Sequence, residues 1–272
     1  MPELPEVEAV ARSLHSRVKG RTIRSAELLR PRLAPDIESE DFARRLRNCV
    51  IDRIGRRGKH ILFFLSNATT LIVHLRMSGR FTVLSADIGD PRFTHAVFHF
   101  DEERLVYDDQ RHFGLMKIVD TELLHEAKEL KKLAPEPFSD EFSIDYLTKT
   151  LEASKKSIKE LLIDQTKVCG LGNIYACEAM FAAGIDPRRE ARKLTRPSIV
   201  RLYESIKAVL LEAISHSESG GDLPAPYFNG SNDSRWYVYD REDEPCAKCG
   251  SLIVRIKQGS RSTYFCRRCQ RR

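Results

Sequence analysis

The pattern of hydrophobic and polar positions divides the chain into a strand-rich first half and a helical second half. The first helix has apolar residues at three- and four-residue intervals between Val7 and Val18. Short β-branched and aromatic segments with turn residues between them then predict strands over residues 22–29, 50–54, 60–65, 70–75, 80–84, 95–100, 104–107 and 115–119. Strands at such short spacing are typical of a β-sandwich or barrel.

Beyond residue 140 the apolar positions follow helical spacing. They predict helices over residues 142–151, 158–163, 174–183 and 197–215. The glycine-rich segment DQTKVCGLGN separates the second helix from the third. Two helices joined by a tight turn can form a nucleic-acid-binding hairpin, although many helical proteins contain one. The segment APEPFSD, with its two prolines, predicts a hinge, and residues 217–232 predict a long loop.

Composition and charge narrow the class of protein. The chain has 272 residues, 42% hydrophobic and 31% charged, which is ordinary for a globular protein of two domains. It has no continuous apolar block near its start and no run long enough to span a bilayer. We therefore predict a cytoplasmic protein without membrane contact. The net charge is +6, and no acid occurs after Cys246, so the basic end suits a polyanion.

Two Cys-x-x-Cys pairs occur near the end of the chain. Cys246 and Cys249 form the first pair and Cys266 and Cys269 the second, with sixteen residues between the pairs. At this spacing two β-hairpin knuckles present four thiolates tetrahedrally, as in a zinc ribbon. Because sulfur fills all four positions, we predict one structural Zn²⁺. The other cysteines are scattered and are expected to be small buried hydrophobic residues: Cys49, Cys169 and Cys177.

The opening residues, MPELPEVE, place a proline and an acid where a catalytic amine is possible. Removal of Met1 would leave Pro2 as a free secondary amine, and the ordinary pKa of an α-amino group lies well below that of lysine. The uncharged amine can attack an electrophilic carbon and form a Schiff base, while Glu3 transfers protons. Alternatively, these residues only begin the first helix, with Pro5 and Glu6 in its first turn.

Further motifs follow in a specific order. They are GRRGKHILF around Lys59, HLRMSGRF from His74, DQRHFG from Asp109, GLGNIYACEAMFAAGIDP from Gly170, VYDREDEPC and GSRSTYFC. With the opening and the cysteines, they resemble the formamidopyrimidine-DNA glycosylase family, bacterial repair enzymes that remove oxidised purines such as 8-oxoguanine and then cut the backbone. The resemblance covers nearly the whole chain. It implies an α+β fold: an N-terminal antiparallel β-sandwich with a flanking helix, and a C-terminal helical domain with a helix–two-turns–helix element and a four-cysteine zinc ribbon.

The motifs and the resemblance together suggest domain boundaries and a partner. We predict a catalytic β-sandwich domain over residues 1–132, a hinge over 133–140, a helical DNA-binding domain over 141–235 and a zinc-finger β-hairpin over 236–272. The expected partner is damaged double-stranded DNA. The resemblance further implies a monomer associated with the nucleoid.

The resemblance also implies a catalytic set. Pro2 would attack the anomeric carbon of an extruded nucleotide while Glu3 assists opening of the sugar ring, and elimination from the Schiff base would then break the strand. Lys59 matches a lysine that reaches into the site, although a solvated lysine in a basic turn is the alternative. Glu6 matches a supporting acid. Arg261, in the turn of the zinc hairpin, would act on a phosphate.

Other matched residues would contact DNA. Met77, Arg111 and Phe113 would fill the space left by the extruded base, and the alternative for Met77 and Phe113 is ordinary core packing. The phosphate contacts would come from His74, Asn173 and Tyr239. The alternative for Asn173 is a helix cap, since it follows two glycines at the start of a helix.

The chain departs from the family pattern in two places. The loop that closes over the extruded purine reads GGDLPAPYFNGSN, and Asp240 and Asp243 stand where glycines are commoner. We expect both aspartates to lie on the surface. The unusual loop keeps a second function open, that of an endonuclease VIII-like enzyme for oxidised pyrimidines, whose family usually has glycine in place of Leu4. A zinc-ribbon DNA-binding protein without catalysis is the alternative from another class.

Overall fold

The computed structural model describes residues 1–217 and 236–271, which form two compact units. The first unit contains residues 1–131 and 216–217, and the second contains residues 132–215 and 236–271. Residues 218–232 of the predicted long loop lie outside the described residues. The domain boundaries given above stay predictions.

Two antiparallel sheets form the first unit. One sheet has the strand order β1-β3-β4-β5-β9 and the other β2-β7-β8-β6. The elements are α1 (Leu4–Val18), β1 (Thr22–Ile23), β2 (Ser25–Leu28), α2 (Ser39–Leu46), β3 (Cys49–Arg57), β4 (His60–Leu65), β5 (Thr69–His74), β6 (Gly79–Ser85), β7 (Thr94–His99), β8 (Glu103–Asp109) and β9 (Leu115–Asp120). Short 3₁₀ turns occur at Pro31–Leu33 and Thr121–Glu126.

A single hydrophobic core joins the two sheets to α1. Phe63 on β4 and Phe81 on β6 belong to different sheets, and their ring centroids lie 5.5 Å apart. Leu14 of α1 is completely buried in the same core. The alternation of apolar residues along the strands and their helical spacing in α1 thus converge on one interior, which confirms the predicted antiparallel sandwich with a flanking helix.

Two details of the first unit differ from the sequence prediction. The strand predicted over residues 22–29 is two strands, β1 and β2, which pair with β3 and β7 in different sheets. Helix α2 was not predicted, because it buries only Phe42 and Leu46 and so gives a weak periodic signal. The remaining predicted strands are confirmed within a few residues at each end.

The second unit contains the predicted helices and a hairpin. Its elements are α3 (Ile144–Glu152), α4 (Ile158–Leu162), α5 (Asn173–Ala182), a 3₁₀ turn at Ala191–Lys193, α6 (Arg196–Ser217), β10 (Ile253–Gln258) and β11 (Arg261–Cys266). Ser143 and Ser157 cap α3 and α4, because each hydroxyl accepts a hydrogen bond from a backbone N–H of the first turn. Of the helices in the described part of the chain, none has the length and hydropathy that a membrane span requires.

The segment between α4 and α5 is fixed by one side chain. The Gln165 side-chain amide donates to the carbonyl oxygen of Leu171 at 2.6 Å, and its oxygen accepts from the backbone N–H of Gly170 at 2.9 Å. Gly170 has φ +88°, which favours glycine. These contacts hold two successive turns and set where α5 begins.

Candidate active site and nucleic-acid interface

Pro2 and Glu3 lie buried at the start of α1. Glu3 is the N-cap residue: its carboxylate accepts from the backbone N–H of Glu6, and the Glu6 carboxylate accepts from the backbone N–H of Glu3 at 2.8 Å. This reciprocal capping box confirms that these residues begin the helix. The same geometry holds a carboxylate directly beside Pro2, so the structural role leaves the proposed chemical role intact.

Lys59 occupies the turn between β3 and β4 and is only 5% exposed. A solvated surface lysine is therefore the wrong interpretation of this residue. No sequence signal indicated its burial, because two arginines, Arg56 and Arg57, precede it in the GRRGKH segment. Since a long cationic side chain is costly to remove from water, this burial is compatible with the predicted role of Lys59, which stays a prediction.

His60 and His74 form a buried pair on adjacent strands. They stand opposite each other in β4 and β5, and their rings meet edge to face with centroids 4.6 Å apart. Burial lowers the pKa of His60 to about 4 and that of His74 to about 2. His74 is consequently neutral at physiological pH. Its Nδ1 accepts from the backbone N–H of Arg76 at 3.0 Å, so Nε2 carries the hydrogen and can donate to an anion.

Met77, Arg111 and Phe113 lie in two exposed loops of the first unit. Met77 is 38% exposed and Phe113 is 56% exposed, which contradicts core packing for both residues. The Arg111 guanidinium carbon lies 5.5 Å from the centroid of the Phe113 ring. The loops meet at Ser78, whose hydroxyl donates to Asp109 and accepts from the backbone N–H of Arg111.

Asp109 organises these loops and was not singled out from the sequence. It is fully buried and accepts from the backbone N–H groups of Phe113 and Gly114 at 2.8 and 2.7 Å, from that of Arg111, and from the Ser78 hydroxyl. Burial raises the pKa of this carboxyl, but the hydrogen bonds from Ser78 and the loop amides lower it on balance. Asp109 therefore stays ionised and holds the loop at neutral pH.

Packing explains why two positions in these motifs are glycine. Gly79 and Gly114 flank the hydroxyl of the completely buried Tyr107, and a Cβ atom on either glycine would overlap that oxygen. Gly79 follows the loop that contains Met77, and Gly114 follows the loop that contains Arg111 and Phe113. The motifs HLRMSGRF and DQRHFG thus share a constraint that the residue spacing does not reveal.

The four motif cysteines come together in the second unit. All four Sγ atoms lie within 4.8 Å of one another, with Cys246 and Cys269 3.9 Å apart and Cys249 and Cys266 3.5 Å apart. A tetrahedral Zn²⁺ with Zn–S bonds of about 2.3 Å requires Sγ atoms about 3.8 Å apart. The donor set and its dimensions therefore fit one zinc ion with no open position.

The thiols differ in their acidity. Burial raises the pKa of Cys266 and raises that of Cys269 to about 12, whereas hydrogen bonds with Ser251 lower the pKa of Cys249 to about 6. A bound cation is needed to keep all the sulfur ligands ionised together. The remaining cysteines, Cys49, Cys169 and Cys177, are buried as predicted.

A hydrogen bond connects Asn173, at the start of α5, to β11, the strand that begins at Arg261. The Asn173 amide donates to the carbonyl oxygen of Ser262 in β11 at 2.8 Å, while Gly172 is the N-cap of α5. The helix-cap interpretation of Asn173 is therefore wrong. Arg261, the residue before Ser262, is exposed and borders a shallow recess of about 430 Å³ that Arg255 and Lys257 also line. The recess thus carries three cationic side chains and one carboxylate, Glu242, which pairs with Arg255 at 3.2 Å.

Glu178 anchors the segment that carries Tyr239, and sequence analysis missed it. This α5 carboxylate is 3% exposed and accepts from the backbone N–H groups of Tyr237, Val238 and Tyr239 at 2.8–3.0 Å. Burial raises its pKa, against these hydrogen bonds. The Tyr239 ring meets the Tyr264 ring edge to face at 5.2 Å, which fixes its orientation against β11. The sequence signal that could have identified Glu178 is an acidic residue within the otherwise apolar helix α5.

The aspartates that replace common glycines have a conformational explanation. Asp240 and Asp243 are exposed, as expected, and their φ angles are +59° and +62°. Aspartate tolerates this left-handed region better than most residues. The substitutions are therefore compatible with the same backbone.

Together, the antiparallel sandwich, the helical unit and the four-sulfur hairpin define a zinc-ribbon protein of the helix–two-turns–helix class. Three family descriptions match in order: the formamidopyrimidine-DNA glycosylase N-terminal domain at residues 1–116, its H2TH domain at residues 133–223, and a zinc finger found in FPG and IleRS at residues 243–272. The chain belongs to the formamidopyrimidine-DNA glycosylase family.

Individual relatives match over the full length. The chain is 42% identical to the formamidopyrimidine-DNA glycosylase of Bacillus licheniformis, with 100% of both chains covered, and 40% identical to that of Bacillus subtilis, with 99% of both covered. The structure also resembles that of the Lactococcus lactis enzyme bound to DNA containing an AP site, with a TM-score of 0.90, 34% identity, and 99% of this chain and 100% of that chain covered. These matches confirm the predicted family, fold and zinc ribbon.

Proposed function

We propose that the chain is a DNA repair glycosylase with abasic-site lyase activity that acts on oxidised purines in duplex DNA. The observation that carries this proposal is the buried pair of Pro2 and Glu3 at the start of α1, in a full-length member of this family. Solved complexes of the Lactococcus lactis relative with DNA containing a formamidopyrimidine or an AP site support it. Activity in the cytoplasm as a nucleoid-associated monomer is part of the proposal.

The chemistry begins at the terminal amine. After removal of Met1, the uncharged nitrogen of Pro2 attacks the anomeric carbon of the extruded nucleotide, and the bond to the damaged base breaks as that base takes up, in net terms, the proton that the amine loses. Glu3 donates a proton to the sugar-ring oxygen as the ring opens. The product is a cationic Schiff base. Loss of its α-proton expels the 3′ phosphate, and a second elimination expels the 5′ phosphate.

Other residues position the DNA in this proposal. Met77, Arg111 and Phe113 enter the stack where the nucleotide has left, since their loops are exposed and tied together at Ser78. Lys59 reaches the site from its turn, with Glu6 supporting Glu3 through the capping box. The phosphate contacts are those of His74, Asn173, Tyr239 and Arg261.

The zinc ion has a structural role. Cys246, Cys249, Cys266 and Cys269 would hold it, and when bound it supplies cross-links that fold the hairpin. In this proposal, side chains on the hairpin contact the DNA and the zinc ion does not. Arg261 extends from its turn beside Arg255 and Lys257, and this cluster suits the phosphate backbone.

A second substrate class has one supporting observation. The Lactococcus lactis relative has also been solved with DNA containing an oxidised pyrimidine. We expect release of 8-oxoguanine to exceed release of thymine glycol by at least about tenfold, a difference of about 1.4 kcal/mol in transition-state binding. Single-turnover assays on duplexes that differ only in the lesion measure this ratio. Preferred release of thymine glycol would assign the chain to pyrimidine repair, and no borohydride cross-link with either duplex would leave only DNA binding.

Glu3→Gln should reduce base release by about 10² to 10⁴-fold, the usual contribution of a general acid or base. The glutamine oxygen still accepts from the Glu6 N–H, so the helix start is retained. The variant should still cross-link to a natural abasic site, which already presents an open-chain aldehyde. Glu38→Gln, at the exposed N-cap of α2, is the matched control. Full base release by the Glu3 variant, measured in single turnover, would remove Glu3 from the mechanism.

A further inference from the structure

Two histidines join the exposed loop at residues 110–114 to strand β7. His112 Nδ1 lies 2.9 Å from His95 Nε2, and the two rings are nearly parallel, at 14°, with centroids 4.9 Å apart. His95 is 4% exposed, whereas His112 is exposed and has a φ of +60°. The Phe93 ring packs edge-on against His112 with centroids 5.9 Å apart. The loop is thereby fixed at its centre, between Arg111 and Phe113.

The charged neighbours of His95 act on its protonation in both directions. Asp108 of β8 binds the Arg80 guanidinium at 2.8 Å. Asp109 accepts from Ser78 and from three loop amides. Arg30, in the segment after β2, and His112 both disfavour a positive charge on His95. Burial is the largest cause that lowers the pKa of His95; Asp109 and Asp108 raise it, and on balance it lies below its ordinary value.

The contact between the rings needs one nitrogen to donate and the other to accept. The neutral pair shares one hydrogen there, and a single extra proton on exposed His112 leaves the bond in place. When His95 is protonated as well, both nitrogens carry hydrogens and the bond is lost. Opening the loop would let water reach His95 and return its pKa toward the ordinary value, so the closed form would be favoured above the ordinary imidazole pKa. It loses that advantage as the pH falls.

We propose that His95 and His112 form a proton-sensitive latch that positions Arg111 and Phe113 for DNA binding. The proposal rests on the function proposed above, in which that loop enters the base stack. His95 and His112 are positioning residues, since they act through the loop. Acid opens the latch and weakens DNA binding, and the latch does not include the nucleophile.

Binding to a duplex with a tetrahydrofuran abasic analogue tests the latch, because this binding requires no chemistry. Affinities are measured between about pH 8 and about pH 5.5, where imidazole ordinarily titrates. His60 and His74 do not titrate there, since their pKa values are about 4 and about 2. The pKa of Asp109, lowered from an already acidic value, also keeps that group ionised.

Three variants separate the outcomes. His95→Gln keeps a side-chain partner for His112 but cannot titrate. On acidification, the affinity of the wild type should therefore fall about three- to tenfold more than that of this variant; a tenfold change corresponds to one pKa unit. His112→Leu breaks the bond and should bind about three- to tenfold more weakly at neutral pH, with no latch-dependent loss in acid. His99→Gln, on the same strand but paired with Glu27, should keep the wild-type profile.

Two results would overturn the latch. One is a pH profile of affinity that is parallel in wild type and His95→Gln, and the other is an undiminished affinity of His112→Leu at neutral pH.

Hydrogen exchange at the Phe113 and Gly114 amides provides a measurement without DNA. At each pH these amides should exchange faster in His112→Leu than in wild type, and wild type should approach that rate in acid. A wild-type protein that does not bind the lesion duplex contradicts the proposed function, and the exchange rates then decide the latch alone.

Discussion

Cross-linking to lesion DNA by borohydride is expected to fall by at least about a thousandfold when Met1 is retained, because loss of a nucleophile can cost about 10⁶ in turnover. With Met1 attached, the Pro2 nitrogen is an amide, and its lone pair is delocalised into the carbonyl group. Only removal of Met1 gives the secondary amine that forms a cationic Schiff base. Pro2 is buried beside Glu3, so the new terminus would form within the capped start of α1.

The same polypeptide provides its own control. Protein purified from cells with inhibited methionine aminopeptidase is compared before and after treatment with that enzyme, and intact mass confirms which terminus is present. Treatment should restore cross-linking, while affinity for a tetrahydrofuran duplex stays within about twofold, a difference of less than about 0.5 kcal/mol. Equal cross-linking by the Met1-bearing protein would show that another amine is the nucleophile. The buried Lys59 would then be tested next.

Removal of zinc is expected to reduce DNA affinity by at least about a hundredfold, or about 2.7 kcal/mol. Structural zinc contributes about 10–16 kcal/mol to the folding of such elements, and hairpin β10–β11 has few buried apolar residues besides Ile253 and Phe265. Without the metal, the turn that presents Arg261 loses its fixed shape. Cys249→Ser should have the same effect, with zinc content below one equivalent.

Cys49→Ser is the matched control for the zinc experiment. Cys49 is a buried cysteine of the first unit whose thiol donates to the carbonyl oxygen of Arg45 at 3.3 Å, and serine can make the same bond. Its zinc content and affinity should equal those of wild type. The amine of Pro2 is not part of the hairpin, so cross-linking at saturating DNA should survive in Cys249→Ser. Unchanged affinity in zinc-free protein would exclude the hairpin as a DNA contact.

The sequence predicted most elements because their signals are local. Strand alternation and helical spacing locate β3 to β9 and α3 to α6 within a few residues. The boundary between β1 and β2 depends on which sheet each half joins, and this is a long-range choice that no local pattern encodes. Helix α2 was not predicted, because two buried residues in a short segment do not establish a helical period.

In the functional site, too, the sequence identified features with a local signal and missed those that depend on the fold. Motifs identified the cysteines and the Pro2–Glu3 pair, since their spacing carries the chemistry. The supporting groups were missed, because Asp109 and Glu178 act on backbone amides that only the fold brings to them. Burial was equally invisible: Lys59 and His74 read as polar residues in strands or turns, yet both are nearly inaccessible to solvent.

The neutrality of His74 has a consequence for how binding responds to ionic strength. A charged side chain at a phosphate releases condensed counterions, and each such contact steepens the fall of log affinity with log salt by about 0.9 for duplex DNA. His74 would donate a hydrogen bond as an uncharged ring, since burial holds its pKa at about 2. Such a contact would therefore persist in concentrated salt, and a salt titration of the complex would count only the lysine and arginine contacts.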